Sequence, residues 1–123
     1  MTTYVLDNMP DEELVELFRV ITEQQYYAGQ TDRIREYNRL YGEMTKVEDE
    51  LKRRPGDRRR LLAALFGDGN PQIRLMAAGS ALAVLPAEAR KVLQALAGSA
   101  EYPQAANAGM LIDGLDDGTY KPE

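Results

Sequence analysis

The chain has 123 residues, 44% hydrophobic and 28% charged, with a formal net charge of −5 and no cysteine, histidine or tryptophan. That length suits one ordinary domain, which buries about two-thirds of its unfolded surface without a disulfide or metal staple. The missing residue types exclude a thiolate nucleophile, Ser-His and Cys-His pairs, an imidazole base and any His or Cys metal ligand.

Helical periodicity runs through nearly the whole chain, and no segment alternates like a strand. Pro10, followed by Asp11, Glu12 and Glu13, predicts a helix start, because proline loses nothing in a first turn and acids suit the positive end of the dipole. Leu14, Leu17, Phe18 and Ile21 then form one apolar stripe, and Gly29 is expected to end the helix. Thr31 is placed to cap a second, long helix over about 31 to 54. Its stripe reads Ile34, Tyr37, Tyr41, Met44 and Leu51, with Leu40 and Val47 on the flank. Glu48 falls inside that stripe, either snorkelling at its edge or partly buried against an arginine of a later helix. Pro55 and Gly56 terminate the helix.

A short third helix is expected over about 57 to 66, with Leu61, Leu62, Leu65 and Phe66 inward. After the turn Gly67-Asp68-Gly69-Asn70, Asn70 caps a fourth helix and Pro71 takes its first position, with Ile73, Met76, Ala77, Ala81 and Leu82 facing the core. Pro86 starts a fifth helix, with Ala89, Val92, Leu93 and Leu96 inward. Pro103 starts a sixth, with Ala106, Ile112 and Leu115 as packing candidates. Small residues in the fourth and sixth helices allow close backbone approach, as stacked helix pairs require.

A weak internal repeat accompanies these helices. Leu62 and Leu65 match Leu93 and Leu96 at an offset of 31, and Pro71-Gln72 matches Pro103-Gln104 at an offset of 32. Asp68-x-x-x-x-Ile73-Arg74, followed by Ala77, Ala78 and Leu82, resembles the second helix of a HEAT repeat. The resemblance covers about 57 to 115 and implies a structural, inter-repeat role for Asp68 and Arg74. A wider resemblance spans about 12 to 118. Tyr37-Asn38-Arg39-Leu40, the Leu61-to-Phe66 helix, Asn70-x-x-Ile-Arg-x-x-Ala-Ala and the alanine-rich last helix are similar to a small bacterial family called domain of unknown function 2019. That likeness implies an all-α, HEAT-like fold and no particular activity.

Four features are candidates for function. Lys52, Arg53, Arg54, Arg58, Arg59 and Arg60 put six cations into nine positions. The second three sit in a helix first turn, where the dipole disfavours them. The basic run reads as solvated or salt-bridged surface, as a face for an acidic protein partner, or as a nucleic-acid contact. The neighbouring Glu43, Glu48, Asp49 and Glu50, and the net acidity, argue against the last. Five of seven tyrosines lie in the first 41 residues: Tyr4, Tyr26, Tyr27, Tyr37 and Tyr41. They suit either a core rim or an interface, since tyrosine joins apolar area to a polar tip. Asn38 sits mid-helix, where its amide would bond a neighbouring loop, face solvent or touch a ligand. Asp113, Asp116 and Asp117 in the tail sit at the wrong spacing for an EF-hand loop and read as an acidic turn.

The sequence thus predicts one all-α domain of about six helices, stacked as antiparallel pairs in a HEAT/armadillo-like α-α superhelix. An N-terminal helical hairpin over 1–55 leads into HEAT-like pairs over 56–115 and a tail over 116–123. The expected function is a non-catalytic protein-interaction module with an unidentified protein partner. Alternatives are an immunity- or antitoxin-like partner, a structural homodimer, and a nucleic-acid binder through the basic turn. The N-terminus has no basic, apolar leader pattern, and LMAAGSALAVL is too short to span a bilayer. A cytoplasmic protein without membrane contact, cofactor or metal is therefore expected.

Overall fold

The computed structural model describes residues 5–123, so Tyr4 lies outside the described residues. Five α-helices follow one another: α1 (Asp11–Gln30), α2 (Ile34–Arg53), α3 (Pro71–Ala81), α4 (Pro86–Ala97) and α5 (Gln104–Asp117). No strand occurs among the described residues. A short 3-10 turn, Leu6–Asn8, precedes α1, and a longer 3-10 segment, Arg58–Leu65, lies between α2 and α3. The expected third α-helix is thus a tighter coil. It starts on three cations at the end that disfavours them, and it finishes with the i to i+3 bonds Phe66 N–H to Ala63 O and Asp68 N–H to Leu65 O.

The chain divides into two compact units, one ending at Leu61 and one running from Leu62 to Glu123. The division falls inside the 3-10 segment rather than at Pro55-Gly56.

The first unit is the α1–α2 hairpin. Pro10 is the N-cap of α1, one position earlier than expected, and its carbonyl accepts from Glu13 and Leu14. The helix runs past Gly29 to Gln30, and the left-handed Asp32 (φ 55°) turns the chain instead. Thr31 does not cap α2. Its hydroxyl donates back to Tyr27 O at 2.9 Å and Ala28 O at 3.4 Å, closing the end of α1. The pairs Asp11–Arg54 and Gln25–Met44 fix an antiparallel register, since the numbers rise along one helix as they fall along the other. Leu14, Phe18 and Ile21 of α1 are buried, as are Leu40, Met44, Val47 and Leu51 of α2.

The burial corrects the predicted stripe of α2. Leu40 and Val47 lie at the centre of its core face. Tyr37 is only half-buried, Tyr41 is 48% exposed and Ile34 is 71% exposed. The line 40-44-47-51 alone satisfies the hairpin, and the line 34-37-41 is turned from it along the same helix. The buried acid of α2 is likewise Glu50, while Glu48 is half-buried.

In the second unit, Asn70 caps α3 as predicted. Its Oδ1 accepts from Gln72 N–H at 2.9 Å and Ile73 N–H at 3.4 Å, and Pro71 fills the first position. Replacing Asn70 by alanine is expected to cost about 1 kcal/mol, read as a lower urea midpoint at unchanged slope. α4 packs against both α3 and α5. The shared core holds Leu75, Ala78, Leu82, Ala89, Leu93, Leu96 and Ala108. Ala106, an expected packing residue of α5, is exposed, and its neighbours Ala105 and Ala108 are buried instead.

α3 and α5 lie side by side and run in the same direction. Gln104 Nε2 donates to Gln72 Oε1 at 3.0 Å near their starts. Seven residues further along each helix, a Cβ on Gly79 would touch Leu111 Cδ1 at 3.9 Å. Both contacts join residues 32 apart, the offset at which Pro-Gln recurs in the sequence. The weak repeat is therefore a structural register between two parallel helices.

Candidate functional site

The basic turn is built mostly from charges that satisfy one another. Arg54 is the centre of its first half. Nε donates to Glu50 Oε2 at 2.9 Å, one terminal nitrogen donates to Asp11 Oδ1 at 2.8 Å, and the other donates to Leu6 O at 2.9 Å. Arg53 also donates to Glu50, whose side chain is only 7% exposed. Arg58 approaches the second oxygen of Asp11 at 3.6 Å. This cluster ties the start of α1 to the end of α2, through an acid and two bases that each suit their helix end.

Arg59, expected to face a partner, is buried. Asp57 stands at φ 49° just before it, and its carboxylate takes both Nε (2.9 Å) and a terminal nitrogen (2.6 Å) of Arg59, as well as the Arg59 N–H. A buried guanidinium needs such a fork-to-fork partner, and the neighbouring aspartate supplies it. Arg60 is exposed but folds its Nε onto Gly56 O and Asp57 O. Of the predicted presenting face Arg58, Arg59, Arg60, Arg59 is thus an internal clamp, while Arg58 and Arg60 stay exposed and lean on groups of their own chain.

The Arg59 guanidinium holds the Asp57 carboxyl below the usual carboxylate range, against the opposing effect of burial, with the Arg59 N–H assisting. A depressed folded value contributes stability that is present above the unfolded value and is lost as pH falls through the folded one. The thermal midpoint is therefore expected to drop on acidification below about pH 4, and Asp57→Asn to show a smaller part of that drop.

The residues given a structural role take three different places. Asp68 acts locally, its Oδ1 accepting from Asn70 N–H at 2.9 Å. Arg74 reaches Glu101, just ahead of α5, at 2.8 Å. Asn38 is exposed in the middle of α2. The buried glutamines Gln72 and Gln104 were not predicted as a pair, although the repeated Pro-Gln was the signal for it.

The tyrosines form the other candidate surface. Tyr26 and Tyr27 meet edge to face, with ring centroids 5.5 Å apart, and Tyr27 is 60% exposed. Tyr37 lies over Gly29, where an added Cβ would come within 3.9 Å of its ring. Beside it, Ala28, Gly29, Asp32, Arg33, Ile34 and Tyr37 line a hollow of about 110 Å³. Tyr37 and Tyr41 share the 34-37-41 line with exposed Ile34. Burial raises the Tyr41 phenol above its ordinary range, with the negative field of Glu48 adding to it. Tyr26 falls on the same side of the hairpin as that line, because equal rotations from the contact face lead to one side in an antiparallel pair. The end of the hairpin near the α1–α2 turn therefore carries aromatic and aliphatic area that its own core does not use.

Among the described residues no group of three or more acidic side chains is close enough to hold a metal ion. Among the described residues no helix is long and apolar enough to cross a membrane.

A crystal structure of the protein RPA1889 from Rhodopseudomonas palustris CGA009 is similar over 98% of this chain and 100% of that one, with 45% sequence identity and a TM-score of 0.95. No match was found among curated proteins. The family model described as domain of unknown function (DUF2019) matches residues 12–116, and the chain belongs to that family.

Proposed function

We propose that this protein is a non-catalytic protein-interaction module of HEAT-like build, whose binding surface is the Ile34-Tyr37-Tyr41 flank of α2 with Tyr26 beside it. The observation that carries this reading is the exposure of Ile34 and Tyr41 on one line of one helix, with half-buried Tyr37 between them and Tyr26 on the same side of the hairpin. Scattered single apolar residues need no account, but a cluster of large ones with tyrosine among them has the composition of an interface centre. The lack of histidine and cysteine supports the non-catalytic part. The 32-residue register of α3 and α5 supports the HEAT-like part, in which stacked units present an extended surface. The partner's complementary patch is apolar at its centre, because the flank's own charges are few.

The test is capture of partners from an extract of the native cell by immobilised wild-type protein and by the Ile34→Glu, Tyr41→Glu double variant. Loss of the retained protein in the variant, at unchanged helicity, is the expected result. Equal retention by both would refute the assignment of this flank. In the same assay Arg58→Glu with Arg60→Glu is expected to retain the partner.

A further inference from the structure

We propose that a second copy of this chain docks on the outer face of α2, antiparallel and crossing at Gly42. The inference goes beyond the proposed function, since it concerns the outer face of α2 and not the Ile34-Tyr41 flank.

Gly42 is in the middle of a 20-residue helix and is exposed. An added Cβ there would meet nothing within 4 Å, and its backbone is ordinary helix. Neither packing nor conformation within the chain asks for glycine, although glycine weakens an exposed helix interior relative to alanine. What glycine does supply is a place where another backbone can come close.

The charges around it point to the same occupant. Several charges of α2 are paired along the helix: Arg39 with Glu36, Lys46 with Glu43, and Arg53 with the buried Glu50. Arg35 and Asp49 are exposed, and neither has an ion pair or hydrogen bond among the described residues. They stand seven residues before and seven after Gly42, on its helix face and about 10.5 Å to either side. A pattern of cation, glycine, anion is complementary to itself when reversed. A second α2 crossing antiparallel at Gly42 brings Arg35 opposite the Asp49 position of the other copy, and Asp49 opposite its Arg35 position. Such a two-fold contact is isologous and closes on itself, as most dimers do. Asn38 and Lys46 flank the crossing at equal distances and meet one another across it. The two Ile34-Tyr41 flanks then fall on one side of the helix pair and join into a larger apolar surface.

The test is sedimentation equilibrium of the purified full chain over a wide concentration range. Wild-type protein is expected to show a reversible monomer–dimer equilibrium. Arg35→Asp faces Asp49 with a second anion, Asp49→Arg faces Arg35 with a second cation, and each is expected to weaken association about tenfold or more. An equimolar mixture of the two variants restores opposite charges at both ends and is expected to recover wild-type association. Both changes suit their helix ends, an acid toward the start and a base toward the finish, so weakened association cannot be traced to a melted helix. Gly42→Leu is expected to abolish the dimer at unchanged helicity. A wild-type chain that stays monomeric throughout overturns the proposal, and so does a mixture that associates no better than the single variants. Because the readout uses purified protein alone, either failure leaves partner capture by the Ile34-Tyr41 flank standing, and a failed capture leaves the dimer standing.

Discussion

Truncating Phe18 to alanine is expected to lower the unfolding free energy by about 4 kcal/mol. Phe18 is fully buried, the largest of the side chains with no exposure, and it lies on α1 among Leu14, Ile21 and Thr22, each almost fully buried too. Removing a ring from such a site loses its transfer free energy and leaves a cavity that helices held by their own ladders only partly close, costing about 3–5 kcal/mol. Total stabilities of such chains are about 5–15 kcal/mol, so the variant sits near the edge of folding at room temperature. Urea denaturation followed by far-ultraviolet circular dichroism reads the loss. Ile34→Ala is the internal comparison. It removes an aliphatic side chain from the same hairpin at a position 71% exposed, and a change within about 0.5 kcal/mol is expected.

The second large effect is expected at Arg54. Arg54→Ala leaves Glu50 almost enclosed with only the exposed Arg53 as partner, and strips Asp11 and Leu6 O of their donor. Breaking one side of a buried pair costs about 3 kcal/mol or more, because the remaining charge keeps its desolvation penalty. Arg53→Ala, at a position whose side chain is 69% exposed, is expected to cost below about 1 kcal/mol. Glu50→Leu combined with Arg54→Leu is expected to cost less than Arg54→Ala, since the nearly enclosed Glu50 charge is removed together with its partner and only the more exposed Asp11 loses a donor. If Arg53→Ala and Arg54→Ala were equal in the same denaturation assay, the ion cluster would be surface decoration. The contrast matters for function, because it decides whether the basic turn is available to a partner or consumed by the fold.

The sequence made the helices legible where a residue's conformational demand is local. Pro71 after Asn70, Pro86, and the acids after Pro10 each mark a helix start found within a residue of its expected place. Legibility ended where the outcome depends on a partner element. On α2 two apolar lines, 34-37-41 and 40-44-47-51, have almost equal claim to the core. Only the register set by α1, visible in Asp11–Arg54 and Gln25–Met44, selects the second. The same limit hid the fate of the basic run. Its density was plain in the sequence, but whether Arg59 faces solvent depends on Asp57 adopting a left-handed conformation that aims its carboxylate at the guanidinium. The Pro-Gln repeat was visible, while the bond between its two glutamines required two helices to lie parallel. For the candidate site, the residue types were readable and their exposure was not. Tyr41 was a candidate for either core rim or interface, and its exposure favours the second, while Ile34, expected in the core stripe, became a candidate only once the core had no use for it.

On the proposed function the Ile34-Tyr41 flank is a surface kept open for a partner. A chain without cysteine, histidine or tryptophan allows a direct measurement, because a tyrosine-selective reagent meets few competing side chains. Purified protein and the same protein at equal concentration in native extract are nitrated briefly, and each tyrosine is quantified by mass spectrometry. Tyr41 is expected to react in the purified chain and to be protected in the extract, while exposed Tyr102 reacts equally in both. Equal reactivity of Tyr41 in the two samples would contradict it.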